Sequence, residues 1–405
     1  MPTRPGRRPH WIVVATCFAV AAVATVTAVY SEPTATSANA AAHPGGTAVT
    51  GSATGGSSAS AKASASATST PAHQLSFGIA YGSSLLSESS SALATSLNDA
   101  VAVGAKWVRT DLPWDLVQPS GPGSYNWQSM DGLVKAANAR GLKVLPILLN
   151  PPYWARESAC QSQADCPPAS NTAFAHFAAA AATRYAPKGV HAWEVWNEPN
   201  IPIWLPKPDP AAYEKLLVTT SKALRNADPA AFVILGGLAA VPTQASKKTV
   251  SAFDFLTAVA ALGGTKYVDA VGFHPYSVPN LPSAGAYFQQ ISSARDNLVA
   301  VLQKYGTPKV PIWLTESGAQ VNESLNGQPS NPLSPAALQF QAAYATDLVK
   351  TVAANPSVGA DFWFSDTDFP GPNLYFGLHT TSGSPRPAFY ALKAAIASCG
   401  CDSGK

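Results

Sequence analysis

The stretch His191–Asn200, HAWEVWNEPN, decides how the rest of the chain is read. Val190–Trp196 is short, apolar and β-branched or aromatic, the composition of a buried strand. Asn197-Glu198-Pro199 follows at once. Proline has no N–H to give a ladder, so pairing stops there and the chain turns. A polar Asn-Glu pair is thereby held at the mouth of a strand, where a rigid element aims it. A lone glutamate after a strand is ordinarily a surface carboxylate. Here two tryptophans accompany the pair, and a second strand ending in glutamate, PIWLTES (Pro311–Ser317), appears later.

Glycoside hydrolysis needs two such carboxyl groups. One is protonated and donates to the leaving oxygen; the other is ionised and attacks or stabilises the sugar cation. With WNEPN and WLTES in place, the chain resembles clan A glycoside hydrolases, in the range of the cellulase family (family 5) and the β-xylosidase-like family 39. In those families an Asn-Glu-Pro ends barrel strand 4 and a second Glu ends strand 7. The resemblance implies a retaining β-glycosidase with Glu198 as acid/base and Glu316 as nucleophile. It also implies that Asn197 bonds the sugar 2-hydroxyl, that His274 in FHPY is the strand 6 histidine, and that Arg109 and Tyr276 keep Glu316 ionised. One departure stands out. Family 5 usually has a histidine at the end of strand 3, whereas LLNPPYW places Asn150 there. The run PSGPGSYNW, a helix, then GLKVLPILLNPPYWA is more like family 39. The resemblance covers most of residues 75–397.

Outward from this stretch, strand-like and helix-like blocks alternate. Strands are expected at Leu75–Gly82, Lys106–Trp114, Lys143–Leu149, Val190–Trp196, Phe232–Leu238, Val268–Tyr276, Val310–Glu316 and Asp361–Ser365. Helices are expected at Ala92–Gly104, Met130–Arg140, Phe174–Tyr185, Ala211–Asn226, Ala252–Leu262, Tyr287–Tyr305, Pro335–Ala353 and Pro387–Ala397. Eight βα units predict an α/β fold, a (β/α)8 TIM barrel in a single catalytic domain over 74–398. An open doubly wound sheet is the alternative, but GIAYGSS after strand 1 is a poor glycine fingerprint.

In a barrel, the C-terminal strand ends converge on one mouth. They bring Arg109, Asn150, Asn197, Glu198, His274, Tyr276, Glu316 and Trp363 together from different strands. Glu198 needs apolar or anionic surroundings to stay protonated, which Trp196 and Glu316 supply. The bland reading of Arg109 is a core salt bridge to Glu194, and both roles can coexist. Trp363 is placed to stack under a sugar, with core packing as its alternative. Trp154 and Trp204, on loops after strands 3 and 4, are weaker candidates for outer subsites. Trp127 more simply pins its own loop.

The bulk properties exclude several classes. A net charge of +3 over 405 residues gives no nucleic-acid footprint. No phosphate loop or metal-ligand spacing is visible, so no cofactor is expected. The expected partner is a carbohydrate, and the expected state a monomer. Arg4, Arg7 and Arg8 precede an apolar run over Trp11–Tyr30, the layout of a secretory signal or a membrane-spanning signal anchor. Residues 31–73, rich in Ala, Ser, Thr and Gly, read as a disordered linker, and residues 399–405 as a tail. Cys160, Cys166, Cys399 and Cys401 form an even set in an exported chain, so disulfides are expected. Cys160 with Cys166 is the simplest pairing; Cys399 with Cys401 follows from it across a short spacing that strains such a bond. Two rivals are a silent barrel that binds wall polysaccharide and a metal-dependent barrel hydrolase; the first predicts loss of one carboxylate, the second His/Asp clusters at several strand ends. Sugar, linkage and endo or exo action stay open, since the loops 317–334 and 366–386 shape the site.

Overall fold

The computed structural model describes residues 75–322, 334–369 and 373–401. Eight parallel strands close into a barrel in chain order: β1 (Ser76–Ala80), β2 (Trp107–Pro113), β3 (Lys143–Leu149), β4 (Ala192–Val195), β5 (Phe232–Ala239), β6 (Ala270–His274), β7 (Ile312–Ser317) and β8 (Val358–Phe364). Closure comes from β8 returning to β1, with Ser76 to Ala80 opposite Ala360 to Phe364. Helices follow the strands and cover the outside, as the alternating pattern predicts.

The strands are apolar on both faces because both faces are buried. Alternate positions fill the barrel, where Leu145, Ile234, Trp313 and Phe362 pack among small alanines. The intervening positions, such as Val233, Phe273, Leu314 and Trp363, join the larger core between barrel and helices. Trp313 needs room at the entry end: a Cβ on Gly359 would stand 2.7 Å from its indole nitrogen. Helix starts follow side-chain chemistry. Asp209 accepts the amides of Ala211 and Ala212 before Pro210–Ala227, and Ser334 accepts that of Ala337 before Pro335–Ala353.

Most bounds shift by a few residues, and three differences have a clear local cause or consequence. The helix expected over Tyr287–Tyr305 is two, Ala286–Ser292 and Leu298–Lys304, because Asn297 accepts the amide of Ala300 and starts a new helix. β8 begins three residues earlier than its aromatic run, at Val358. β4 stops at Val195 because Trp196 takes a left-handed φ of 71°.

Cys160 is bonded to Cys166 and Cys399 to Cys401. The leader, the linker, Cys17, the last four residues, and most of the 317–334 loop lie outside the described residues. The expected membrane span is corrected: among the described residues, no helix is long and apolar enough to cross a membrane. The apolar run that suggested one lies outside them.

Candidate active site

Inward-facing positions of β2, β4, β6 and β7 supply one buried polar network. Arg109 sits at its centre, fully buried. Its Nε bonds Glu194 Oε2 at 2.7 Å, its Nη1 bonds Glu316 Oε1 at 2.7 Å, and its Nη2 bonds Asn197 Oδ1 at 2.7 Å. The core salt bridge to Glu194 and the contact to Glu316 therefore coexist on one guanidinium. Tyr276 donates to the other oxygen of Glu316 at 2.8 Å. Simple alternation places Leu314 outward and would send Glu316 outward too. The β7–β8 register slips between Leu314 and Ser317, and both Thr315 and Glu316 reach the interior network.

The turn that carries Glu198 is held from several sides. Trp196 and Glu198 have φ of 71° and 45°, a region that costs L-residues energy unless the surroundings enforce it. The Trp196 amide donates to Leu148, the Glu198 amide to Gly237, and the Trp196 indole to Ile203. Asn200, fully buried, donates to the carbonyls of Ala239 and Val250 and accepts the amide of Ala239. Asn200 is the clamp of the NEPN turn.

His274 links the two halves. Its Nδ1 lies 3.0 Å from Glu198 Oε1 and 3.7 Å from Glu316 Oε2, and its Nε2 lies 3.0 Å from Thr315 Oγ1. The Thr315 hydroxyl donates onward to Glu194 Oε1 at 3.0 Å. Glycine is required beside this ring: a Cβ on Gly237 would sit 2.0 Å from His274 Nε2. The Gly237 amide uses the space to donate to Glu194 at 2.8 Å.

These contacts pull the two carboxyl groups apart in acidity. Burial raises the pKa of Glu198, and Glu316 adds to the rise, while His274 and Arg109 oppose it. Burial also pushes Glu316 upward, but His274, Arg109 and the bond from Tyr276 outweigh it and hold its pKa below the ordinary value. Burial works against the charge of Arg109 too, yet Glu194 and Glu316 raise its pKa above the usual range.

Glu198 and Glu316 open onto a cavity of about 540 Å³, counting its mouth, with Asn197 and Asn150 on its wall. Trp363 is not in this cavity. Its indole donates to the carbonyl of Phe376 and its ring meets Tyr344 edge-on, in the layer between barrel and helices. Alternation along β8 puts residues 360, 362 and 364 inward, so Phe364 lines the cavity instead. Trp154 is turned to bond the Gln118 carbonyl and to meet Trp114 edge-on. Trp204 is buried against Trp196 and Tyr213. Neither lines the cavity; Trp204 backs Trp196, which does. Asp111 and Asp165, absent from the expected set, also line it.

Among the described residues, one group has ligand atoms close enough to hold a metal ion: Asp99, Asp366 and His379, within 4.8 Å of one another. None of the three lines the cavity. His379 Nδ1 is already 2.9 Å from Asp366 Oδ1.

The sequence pattern of the cellulase family (glycosyl hydrolase family 5) matches residues 66–360. Among solved structures, a family 39 glycoside hydrolase from the gut symbiont Bacteroides cellulosilyticus WH2 is 22% identical, covers 79% of this chain and 63% of its own, and has a TM-score of 0.58. The GH39 enzyme from Xanthomonas axonopodis pv. citri is 18% identical over 80% of this chain and 67% of its own, TM-score 0.60. GH5_18 from Streptomyces cattleya, in complex with GlcNAc, is 19% identical over 82% of each chain, TM-score 0.58. At these identities the likeness is one of fold, and this chain spans less than two thirds of the Bacteroides protein. No curated protein sequence matches it. Both sides of the expected resemblance are found, family 5 in the sequence pattern and family 39 in the fold. The chain belongs to the cellulase family, glycosyl hydrolase family 5.

Proposed function

We propose that this chain is a retaining β-glycosidase that cleaves a β-linked poly- or oligosaccharide by double displacement, with Glu316 as nucleophile and Glu198 as acid/base. One observation carries the reading: two glutamates opening onto one cavity have acidities displaced in opposite directions, Glu198 upward and Glu316 downward. Divergent pairs of this kind mark acid and base assignments.

In the first step an oxygen of Glu316 forms a bond to the anomeric carbon while the glycosidic bond breaks, and Glu198 gives its proton to the leaving oxygen. In the second, Glu198 takes a proton from water, which attacks the anomeric carbon and releases Glu316. Arg109 and Tyr276 hold the Glu316 carboxylate in its attacking orientation. Asn197 spends its amide oxygen on Arg109, leaving its NH2 for the sugar 2-hydroxyl. Asn150 and Phe364 contribute to the wall of the sugar site. The basic leader and the apolar run after it support export, so we place this reaction outside the cell.

The test is turnover of a panel of aryl β-glycosides and soluble β-glycans by the full chain, with the anomer first released followed by NMR. The β-anomer is expected. An α-anomer, or no turnover of any member while an insoluble glycan captures the protein, would contradict the proposal.

A further inference from the structure

Asp111 lies two residues beyond Arg109 on β2, so it shares the inward face and stands nearer the mouth. It is 6% exposed, and its amide is used by the carbonyl of Gly82 at 2.9 Å. Its carboxyl group has no hydrogen-bond or ion-pair partner among the described residues, yet it lines the cavity beside Glu316. A buried carboxyl left without a donor is costly, and a folded site keeps one where something else supplies the donor. Asp165 lines the same cavity from the loop after β3. Neither aspartate has a part in the two displacement steps.

The loop that brings Asp165 is rigidly built. The Cys160–Cys166 bond closes it one residue beyond Asp165. Arg156 ties it down by donating to the carbonyls of Pro151 and Gln161 and to Asp115 Oδ2, while the Glu157 amide donates to Pro167. Burial raises Asp111 to about 7 against the pull of Arg109, with Glu316, Glu194 and Asp165 adding to the rise. Asp165 is raised to about 6 by burial, opposed by Arg156.

We propose that Asp111 and Asp165 form the hydroxyl-reading wall of the sugar subsite, gripping neutral hydroxyls of the bound sugar and rejecting sugars that carry a carboxylate. The proposal rests on the glycosidase reading above and names its substrate class. Carboxylates accept two hydrogen bonds each, which suits the adjacent hydroxyls of a pyranose ring. Arg109 gives no competing welcome to an anion, because Glu194, Glu316 and Asn197 already occupy it. A uronic acid would bring its carboxylate against the ionised Glu316 and beside the carboxyl groups of Asp111 and Asp165, none of which offers it a cation, in a desolvated site.

The experiment compares the full chain with Asp111→Asn and Asp165→Asn. Its substrates are the aryl β-glycoside best turned over by the parent, the monodeoxy analogues of that sugar, and the matching uronide. Each substitution is expected to lower kcat/KM about 10- to 100-fold, mainly through KM, as for a lost hydrogen bond to a charged group. Removing the hydroxyl that an aspartate reads should cost the parent a similar factor and its Asn variant almost nothing more, because paired effects are not additive. Turnover of the uronide relative to the neutral glycoside should rise in both variants. Melting temperatures at pH 8 that equal or exceed the parent's would separate this loss from misfolding. An active parent whose Asn variants keep its kcat/KM and its discrimination overturns this inference and leaves the glycosidase reading intact. A parent inactive on every β-glycoside overturns that reading and the inference with it.

Discussion

His274 Nδ1 lies 3.0 Å from Glu198 Oε1, and the bonds on the far side of the ring govern the proton between them. Glu194 is paired with Arg109, so it only accepts, and Thr315 spends its single hydroxyl proton on it. Thr315 Oγ1 must then accept from His274, which places a hydrogen on Nε2. With Nε2 spent on Thr315, Nδ1 is the ring atom left to share a proton with Glu198. This proton placement is inferred from the network, the usual basis for assigning histidine tautomers.

Thr315→Val breaks that ordering without changing side-chain shape greatly. The expected result is about a tenfold or greater loss of kcat/KM on glycosides with poor leaving groups, the scale of a lost supporting hydrogen bond. Dinitrophenyl glycosides, whose leaving groups need no proton, should lose much less. Equal losses on both would mean that Thr315 does not act through the acid.

Arg109→Met strands Glu194 and Glu316 as buried carboxylates without their cation. Breaking one side of a buried pair costs about 3–5 kcal/mol, far more than the pair contributes over an apolar replacement. Urea unfolding should show a destabilisation of that order, and a loss under 1 kcal/mol would refute the network as drawn.

The pH dependence of kcat/KM follows from the directions of the two shifts. Glu316 must be ionised, and its pKa is held below 4.5, so activity falls only in strong acid. Glu198 must be protonated, and its pKa is raised above 4.5, so activity survives to higher pH and is lost as Glu198 ionises. Tyr276→Phe removes a bond that lowers Glu316, so the acidic limb should move to higher pH while the alkaline limb stays. A shift of the alkaline limb alone would reverse the assignments.

Gly237→Ala tests the packing behind His274, since the new Cβ would overlap Nε2 at 2.0 Å. The ring must move, taking its contact with Glu198 away. Activity should fall at least tenfold on unactivated glycosides, together with a lower melting temperature. A variant of normal activity would show that the ring position is not critical.

Much of this architecture was legible in the chain, for identifiable reasons. Prolines, glycines and caps punctuate the eight βα units, and NEPN and WLTES announce strand ends directly. Arg109 and Glu194 share an inward parity, so their meeting follows from alternation. Strand-end position alone misplaces Trp363: with Ala360, Phe362 and Phe364 inward, alternation turns it outward, into the core packing that was its alternative. Glu316 reaches inward only through a register slip between β7 and β8 that no local pattern encodes. Asp111 and Asp165 belong to no motif, and Asn200 and Thr315, though they lie within NEPN and WLTES, take their roles from partners 39 to 121 residues away.

The most direct measurement is azide rescue of Glu316→Ala, assayed on an aryl β-glycoside that the parent hydrolyses. The account predicts that hydrolysis vanishes in the variant, that azide restores turnover, and that the product is the inverted α-glycosyl azide. Full hydrolysis by the variant without azide, or rescue that yields the β-azide, would contradict Glu316 as the nucleophile.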